Sequence, residues 1–405
     1  MSEKYERALK AKNKKAPLGP DIELEKYSME ASPHKPIQRL ENLEEEYHRT
    51  CGMAGIDVSE KERSGSFFQL DHSVIFQKTK QNGLEIMDTP SALEKHDWLK
   101  NYAWTAVPVD MDKYTAQAEL KQTSGYFIRS LPGSKSTFPL QACLFIGTEG
   151  LAQNVHNIII AEENSELHII TGCSVAPHVN SALHLGVSEF YVKRNSKISF
   201  TMVHNWARDV EVRPRTGVIV EENGTYISNY ICMNPVKNLQ AYPVAYLAGQ
   251  NAKATFQSIL YAPENSFLDL GSRAYLRSNG TRTQMITRAI AKDNGTIVAR
   301  GHIIGEALNI KGHIDCRGLM LSDTARIHSI PELEAKVSGV DLSHEAAVGK
   351  ISDEEILYLA SRGLTVDEAT ATIIRGFLNV DIEGLPPELG KEMNRMLRIS
   401  TEKIL

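Results

Sequence analysis

Cys316, His344 and Glu345 are of the types that bind metal, since thiolate, imidazole and carboxylate are donors that hold iron, zinc or iron-sulfur clusters. They fall within CRGLMLSDTARIHSIPELEAKVSGVDLSHEAAVGK, residues 316–350, and Cys316 and His344 stand 28 residues apart. The same trio also describes one small buried thiol and two solvated polar residues, so the elements that carry it must decide. A second thiol, Cys173 in HIITGCSVAPH, reads from spacing alone as a small buried residue at a strand end. His178, His184 and His204 read as structural histidines, and His302, His313 and His328 as supporting groups near Cys316.

Several chemistries are excluded by pattern. AAVGKIS ends like a phosphate loop at Gly349-Lys350 but carries His344 where the first glycine belongs, so ATP hydrolysis by this chain is not expected. No G-x-S-x-G elbow or H-E-x-x-H helix occurs. The five cysteines are scattered without a C-x-x-C pair, which argues against disulfides and a four-thiolate zinc site. A net charge of -5 with dispersed lysines and arginines argues against nucleic acid as the main partner. No apolar run reaches the roughly 18 residues of a membrane helix. The start, MSEKYERALKAKNKK, lacks an apolar signal region, so a cytoplasmic location is expected.

The chain of 405 residues divides by pattern into three parts. Residues 1–125 combine a loosely attached helical arm (helices near Glu3 to Lys15 and Pro36 to Arg49) with a mixed region. There SFFQLDHSVIFQKT reads as one strand and Ser91 with Glu94 as a capping box. Over residues 126–340, short runs rich in Ile, Val, Thr and Phe alternate with turns at Asn164, Asn195, Asn223, Asn251 and Asn279, spaced 31, 28, 28 and 28 residues apart. Asn294 then comes at about half that spacing, and Asp323 a full repeat beyond it. Near-constant spacing predicts a β-solenoid, because coils must match in length to stack; antiparallel hairpins with Asn-Gly turns are the alternative. Residues 341–405 read as helices, with capping boxes at Ser352/Glu355 and Thr365/Glu368 and a third helix over 386–399.

A solenoid period of this length sets Cys316 and His344 at equivalent positions one repeat apart, roughly 5 to 10 Å from each other. Counted back from Cys316, the same period reaches Cys173 after close to five repeats, and so on a similar side of the solenoid.

At these residues the chain resembles the SufB/SufD family of iron-sulfur cluster assembly scaffolds, from about Gly83 to Ser400. The segments that carry the likeness, in order, are ALEKHDWLKNYAWTAVP, TFPLQACLFI, HIITGCSVAP, FTMVHNWARDV, CRGLMLSD, LSHEAAVGKISDEEILYLASRGLTVDEA and IIRGFLNV. The resemblance implies a right-handed parallel β-helix flanked by helical N- and C-terminal parts. It implies an assembly scaffold rather than an enzyme, with a SufC-type ABC ATPase on the C-terminal helices carrying the ATP hydrolysis and no nucleotide on this chain. Cys316 matches the SufB cysteine that holds a transient nascent cluster. His344 and Glu345 match the pair that completes the site, and His344 also stands where SufD has its functional histidine. Cys173 matches the thiol that takes persulfide sulfur from a cysteine desulfurase; apo iron-sulfur proteins would receive the product.

LSHEAAVGK mixes SufB-like and SufD-like features, which suggests a homodimer in which two copies of Cys316, His344 and Glu345 meet. The N-terminal cysteine cluster of many SufB proteins is absent, and Cys51 stands alone. A SufD-like structural subunit without its own cluster is the nearer alternative. A carbohydrate-active β-helix enzyme is the more distant one, and it would need a groove of carboxylates that the sequence does not show.

Overall fold

Runs of β-branched and aromatic residues between asparagine turns favour extended backbone, and the computed structural model, which describes residues 2–378, is mainly β: a parallel solenoid of about eight turns. One wall is a ten-stranded sheet whose eight solenoid strands are β1 (Leu140–Ile146), β2 (Glu166–Val175), β3 (Lys197–Asn205), β4 (Thr225–Cys232), β5 (Lys253–Ala262), β6 (Arg282–Ala291), β7 (Lys311–Met320) and β8 (Asp341–Lys350). Each pairs in parallel with the next. The chain crosses between them to a second wall that includes Ser181–Val192, Phe267–Leu276, Thr296–Gly305 and Arg326–Ala335. Parallel pairing throughout the repeat region rejects the hairpin alternative.

Alternate side chains of β1 to β8 point inward and stack in files from coil to coil. Ile198, Phe200, Tyr226, Phe256, Met285 and Ile314 belong to the interior cluster this creates. Coil length is near-constant without being fixed: Asn164 and Asn195 are 31 residues apart, Asn195 and Asn223 are 28 residues apart, and His313 and Ser343 on the last coil are 30 residues apart. The turns explain both the regularity and the short step after Asn279. Asn164, Asn195, Asn223 and Asn251 all adopt positive φ, a conformation asparagine tolerates. Each of the last three donates its amide to the one before, at 3.0 to 3.1 Å. Asn294 belongs to a second ladder at another corner, where its amide donates to Asn265 at 2.8 Å. The step from Asn279 to Asn294 is therefore half a coil, while Asn309 continues the first ladder by donating to Asn279.

The structure departs from the expectations at several places. The N-terminal arm is packed rather than loose. In α1 (Glu3–Ala11), Ala8 and Ala11 are buried, and in α2 (Glu45–Met53) so is Cys51. Small side chains one helical turn apart are enough to seat a helix closely against a neighbouring helix, although they give a weak apolar pattern. The run SFFQLDHSVIFQKT is two antiparallel strands, Gly65–Leu70 and Ser73–Thr79, broken where Asp71 adopts positive φ. Asp88, not Ser91, caps α3 (Thr89–Lys95), accepting from the Ser91 N–H at 2.9 Å.

A helix further on, α4 (Lys113–Leu120), packs with α1 outside the second wall. Beside it the fully buried carboxylate of Glu189 accepts hydrogen bonds from the backbone N–H groups of Trp104, Thr105, Ala106 and Val107. His156 Nε2 lies 2.8 Å from the same carboxylate.

The solenoid also runs past residue 340, because residues 341–350 form its last strand rather than the start of the helical part. The capping boxes at Ser352/Glu355 and Thr365/Glu368 form as expected, opening α5 (Asp353–Ala360) and α6 (Val366–Leu378). Ile374 and Leu378 of α6 pack on the outer face of the first wall with Ile259, Ile290 and Leu319. The helix expected over 386–399 lies outside the described residues. No described helix is long and apolar enough to cross a membrane.

Candidate functional site at the interior wall and open end

Strand alternation decides which chemical groups share a side. Cys173 on β2 points inward, in the file Leu144, Cys173, His204, Cys232, Leu260. Cys316 on β7 also points inward, one file over, in the series Met202, Tyr230, Ser258, Thr287, Cys316, Ala346. Both thiols thus belong to one inner wall, five strand spacings and two positions of register apart, or ~25 Å between backbones. The expectation that they share a side agrees with this register.

His344 meets Cys316 less directly than the expected period implied. The last coil is 30 residues long, measured from His313 to Ser343, so Cys316 lies opposite Ala346 and His344 opposite Ile314. His344 still leaves the same face of the wall, diagonally placed at ~8 Å between α-carbons. Glu345 pairs with Asp315 and leaves the opposite, outer face. Among the described residues, no group of three His, Cys, Asp or Glu side chains is assembled to hold a metal ion within one chain. His302, His313 and His328 are not supporting groups for Cys316. His313 faces outward and bonds Ser343 Oγ at 2.8 Å, and His302 accepts from Arg273 on the outer face of the second wall. His328 alternates with the inward Ser329 and so faces outward too.

Electrostatics separates the two thiols. Burial alone pushes the Cys173 thiol far above its ordinary range, and its Sγ lies 3.5 Å from Met202 Sδ. Burial also raises the Cys316 thiol, but the Ser329 and Thr287 hydroxyls pull it back and Arg288 helps, against Asp315. Cys316 is the more readily ionised of the pair.

Between them the interior is loosely filled and mostly apolar, with a line of polar groups along it. A cavity of about 40 Å³ is bounded by His184, Met202, His204, Ser228 and Tyr230. An adjoining one of about 30 Å³ shares Ser228 and Tyr230 and reaches Ser258. Tyr230 Oη lies 2.7 Å from His204 Nδ1, while His204 Nε2 has no hydrogen-bond partner. Burial drives His184 down to about 3 and His204 well below its usual value, the second also through repulsion from the first, so both imidazoles are neutral. These histidines, left above as structural, face the void that lies on the line between the thiols.

Two features escaped the sequence reading. The file Met202, Tyr230, Ser258, Thr287 was visible only to someone who applied the coil length to every inward residue rather than to cysteines. Cys51, expected to stand alone, lies beside Cys143: α2 crosses the outer face of β1 and β2 where Gly172 leaves room, and an added Cβ there would sit 2.5 Å from Ala54 O. Burial first, and Cys51 second, raise the Cys143 thiol. All five cysteines are free and buried.

Among the described residues nothing covers the last coil of the solenoid. His344, Ala346 and Val348, all on the inner face of β8, are exposed, Val348 by 42%. A stacked-repeat protein normally closes such an end.

Comparison with known proteins agrees with this architecture. Residues 144–377 match the family model of the SUF system FeS cluster assembly, SufBD core domain. The chain is 52% identical over 405 residues to an iron-sulfur cluster assembly SufBD family protein of Methanothermobacter thermautotrophicus, covering 99% of each chain. It is 48% identical over 351 residues to one of Archaeoglobus fulgidus, covering 87% of this chain and 94% of the relative. Against one of Pyrococcus horikoshii the identity is 33% over 381 residues, with 93% and 85% covered. With the solenoid, its C-terminal helices and more than half of the sequence matched by one family model, the chain belongs to the SufBD family.

Proposed function

We propose that this chain is a scaffold on which iron-sulfur clusters are built in a SUF-type assembly complex, working as a homodimer joined at the open end of the solenoid. The observation that carries the reading is the single inner wall that bears Cys173 at one end and Cys316 with His344 at the other. A polar file and a void lie between them.

The chemistry follows from the residue types. The Cys173 thiolate attacks the terminal sulfur of a persulfide on a cysteine desulfurase or other donor. The donor thiolate leaves, and Cys173 holds a persulfide. Because Cys173 is fully buried and held neutral, the donor must first open the wall around it. An external two-electron donor then cleaves the Cys173 persulfide to thiolate and sulfide, and the sulfide passes along Met202, Tyr230, Ser258 and Thr287 towards Cys316. Iron meets it at Cys316 and His344.

Among the described residues one chain offers only these two inward donors at this end, so the second pair comes from the partner copy, which also covers the exposed last coil. Glu345 leaves the outer face of β8 and joins only if that end strand turns at the junction. A thiolate-imidazole set with few sulfurs holds a cluster less firmly than four thiolates, as a donor to apo-proteins requires. The exposed Leu357 and Tyr358 of α5 and Val366 of α6 offer an apolar face to a SufC-type ATPase, which carries the ATP hydrolysis.

Anaerobic reconstitution with iron and sulfide tests the scaffold. Cys316→Ala is expected to lose most bound iron, His344→Ala to hold it more weakly and Glu345→Ala to change it least. Full iron and absorbance in Cys316→Ala would leave a structural, SufD-like subunit as the reading. Mass measurement in solution tests the pairing; a monomer at micromolar concentration rejects it.

A further inference from the structure

The outer face of the same wall carries a feature that the scaffold reading does not use. The first outward residue of each strand from β3 to β8 forms a file across the coils: Lys197, Thr225, Lys253, Arg282, Lys311 and Asp341, with Glu166 of β2 opposite Lys197 at the far end. Asp341 pairs with Lys311 at 3.1 Å. Lys253 and Arg282 make no ion pair among the described residues, and both are exposed and directly opposite each other on adjacent strands. Like charges in that register repel and weaken a sheet. A chain with a net charge of -5 has nonetheless gathered them in one place.

The file forms the rim of a groove of about 540 Å³. Its floor is the next outward file: Ile227, Thr255, Gln284, His313 and Ser343. The groove crosses six strands, β3 to β8, so it is ~24 Å long and narrow for its volume. That shape favours an extended chain over a compact phosphate ligand. About seven residues of extended peptide span it, and every second side chain, ~6.6 Å apart, faces the cations. A single nucleic-acid strand fits less well, because it needs aromatic rings for its bases and no Phe, Tyr or Trp lines the groove.

We propose that this groove binds an extended acidic peptide segment of a partner protein, with carboxylates on Lys253 and Arg282 and the peptide backbone over Ile227, Thr255 and Gln284. Arg282 supplies a planar fork that takes a carboxylate through two hydrogen bonds, and Lys253 a flexible point charge. The site lies beside α6 on the wall whose inner face carries both thiols. A partner held there is close to the assembly machinery without entering it.

Fluorescence anisotropy of the full chain with dye-labelled octaglutamate tests the proposal, with octaglutamine and an eight-nucleotide oligothymidylate as comparisons. Octaglutamate is expected to bind, octaglutamine not to, and the affinity to fall between about 50 and 200 mM salt. The double charge reversal Lys253→Glu with Arg282→Glu should weaken binding by about tenfold or more, while Lys253→Arg with Arg282→Lys stays within about threefold. Both pairs lie on the surface, and unchanged thermal melting shows that the variants fold. Three results each overturn the proposal: no binding up to about 1 mM peptide, equal binding by the charge-reversed variant, or tighter binding of the oligothymidylate. None of them bears on the cluster site.

Discussion

Acidification should destabilise this solenoid through two interior histidines. His184 and His204 are both buried and neutral, His184 titrating at about 3 and His204 well below the ordinary value. The His184 ring bonds Gln153 Oε1 at 3.0 Å and the His204 ring bonds Tyr230, and both stand against Trp206. No carboxylate lies among these contacts. Unfolding frees each ring to take a proton near its ordinary pKa of about 6.5. The folded-state pKa is lowered, so the unfolded chain binds more protons, and stability is lost as pH falls below about 6.5.

Each histidine costs about 2 kcal/mol between neutral pH and pH 5, at about 1.4 kcal/mol per unit, and the two together about 4 kcal/mol. That is a large part of the roughly 5–15 kcal/mol expected for a folded protein. Urea unfolding of the parent and of His184→Asn, followed by far-UV circular dichroism at pH 7.5, 6 and 5, isolates the effect. Groups outside this pair titrate alike in both proteins, and burial, the larger cause, keeps His204 low in both. The variant is less stable at pH 7.5 but should lose about 2 kcal/mol less on the way to pH 5. Parallel pH curves for the two proteins would refute a buried neutral His184.

Glu189→Ala should be far more damaging than an ordinary surface change. It removes the acceptor of four backbone N–H groups; those of Trp104 and Val107 are buried and left unpaired at about 1–3 kcal/mol each, while Ala106 keeps Tyr191 Oη and Thr105 is exposed, so a loss of at least about 2 kcal/mol is expected. A urea midpoint within about 1 kcal/mol of the parent would show that residues 104–107 are not clamped by this carboxylate. Alkylation of Cys316, followed by peptide mass spectrometry, should be slower than that of free cysteine at pH 7 because burial raises its pKa. The rate should climb by about tenfold per pH unit up to pH 9. A rate already level at pH 8 would contradict the raised pKa.

Much of the architecture was legible because a solenoid is written locally. Asn164, Asn195, Asn223 and Asn251 announce the coil length, since each must adopt positive φ and bond its neighbour, and the regularity of that length favours parallel stacking over hairpins. The capping boxes of α5 and α6 were legible for the same reason: both partners lie within one turn. The packed N-terminal arm was not, because Ala8, Ala11 and Cys51 are held by surfaces far away in sequence.

The types of the site residues came from the sequence, but their faces came from register. The last coil is longer than the period read from the asparagine turns, which moves His344 by two positions along β8, and because side chains alternate, that even shift keeps it on the inner side with Cys316. The neighbouring Glu345 is carried to the outer side by the same alternation. Sequence alone determined that thiol, imidazole and carboxylate recur at nearly the coil length. Only the tertiary structure decided which of them share a wall, since strand pairing fixes register to the residue and a period read from turns fixes it only to within two.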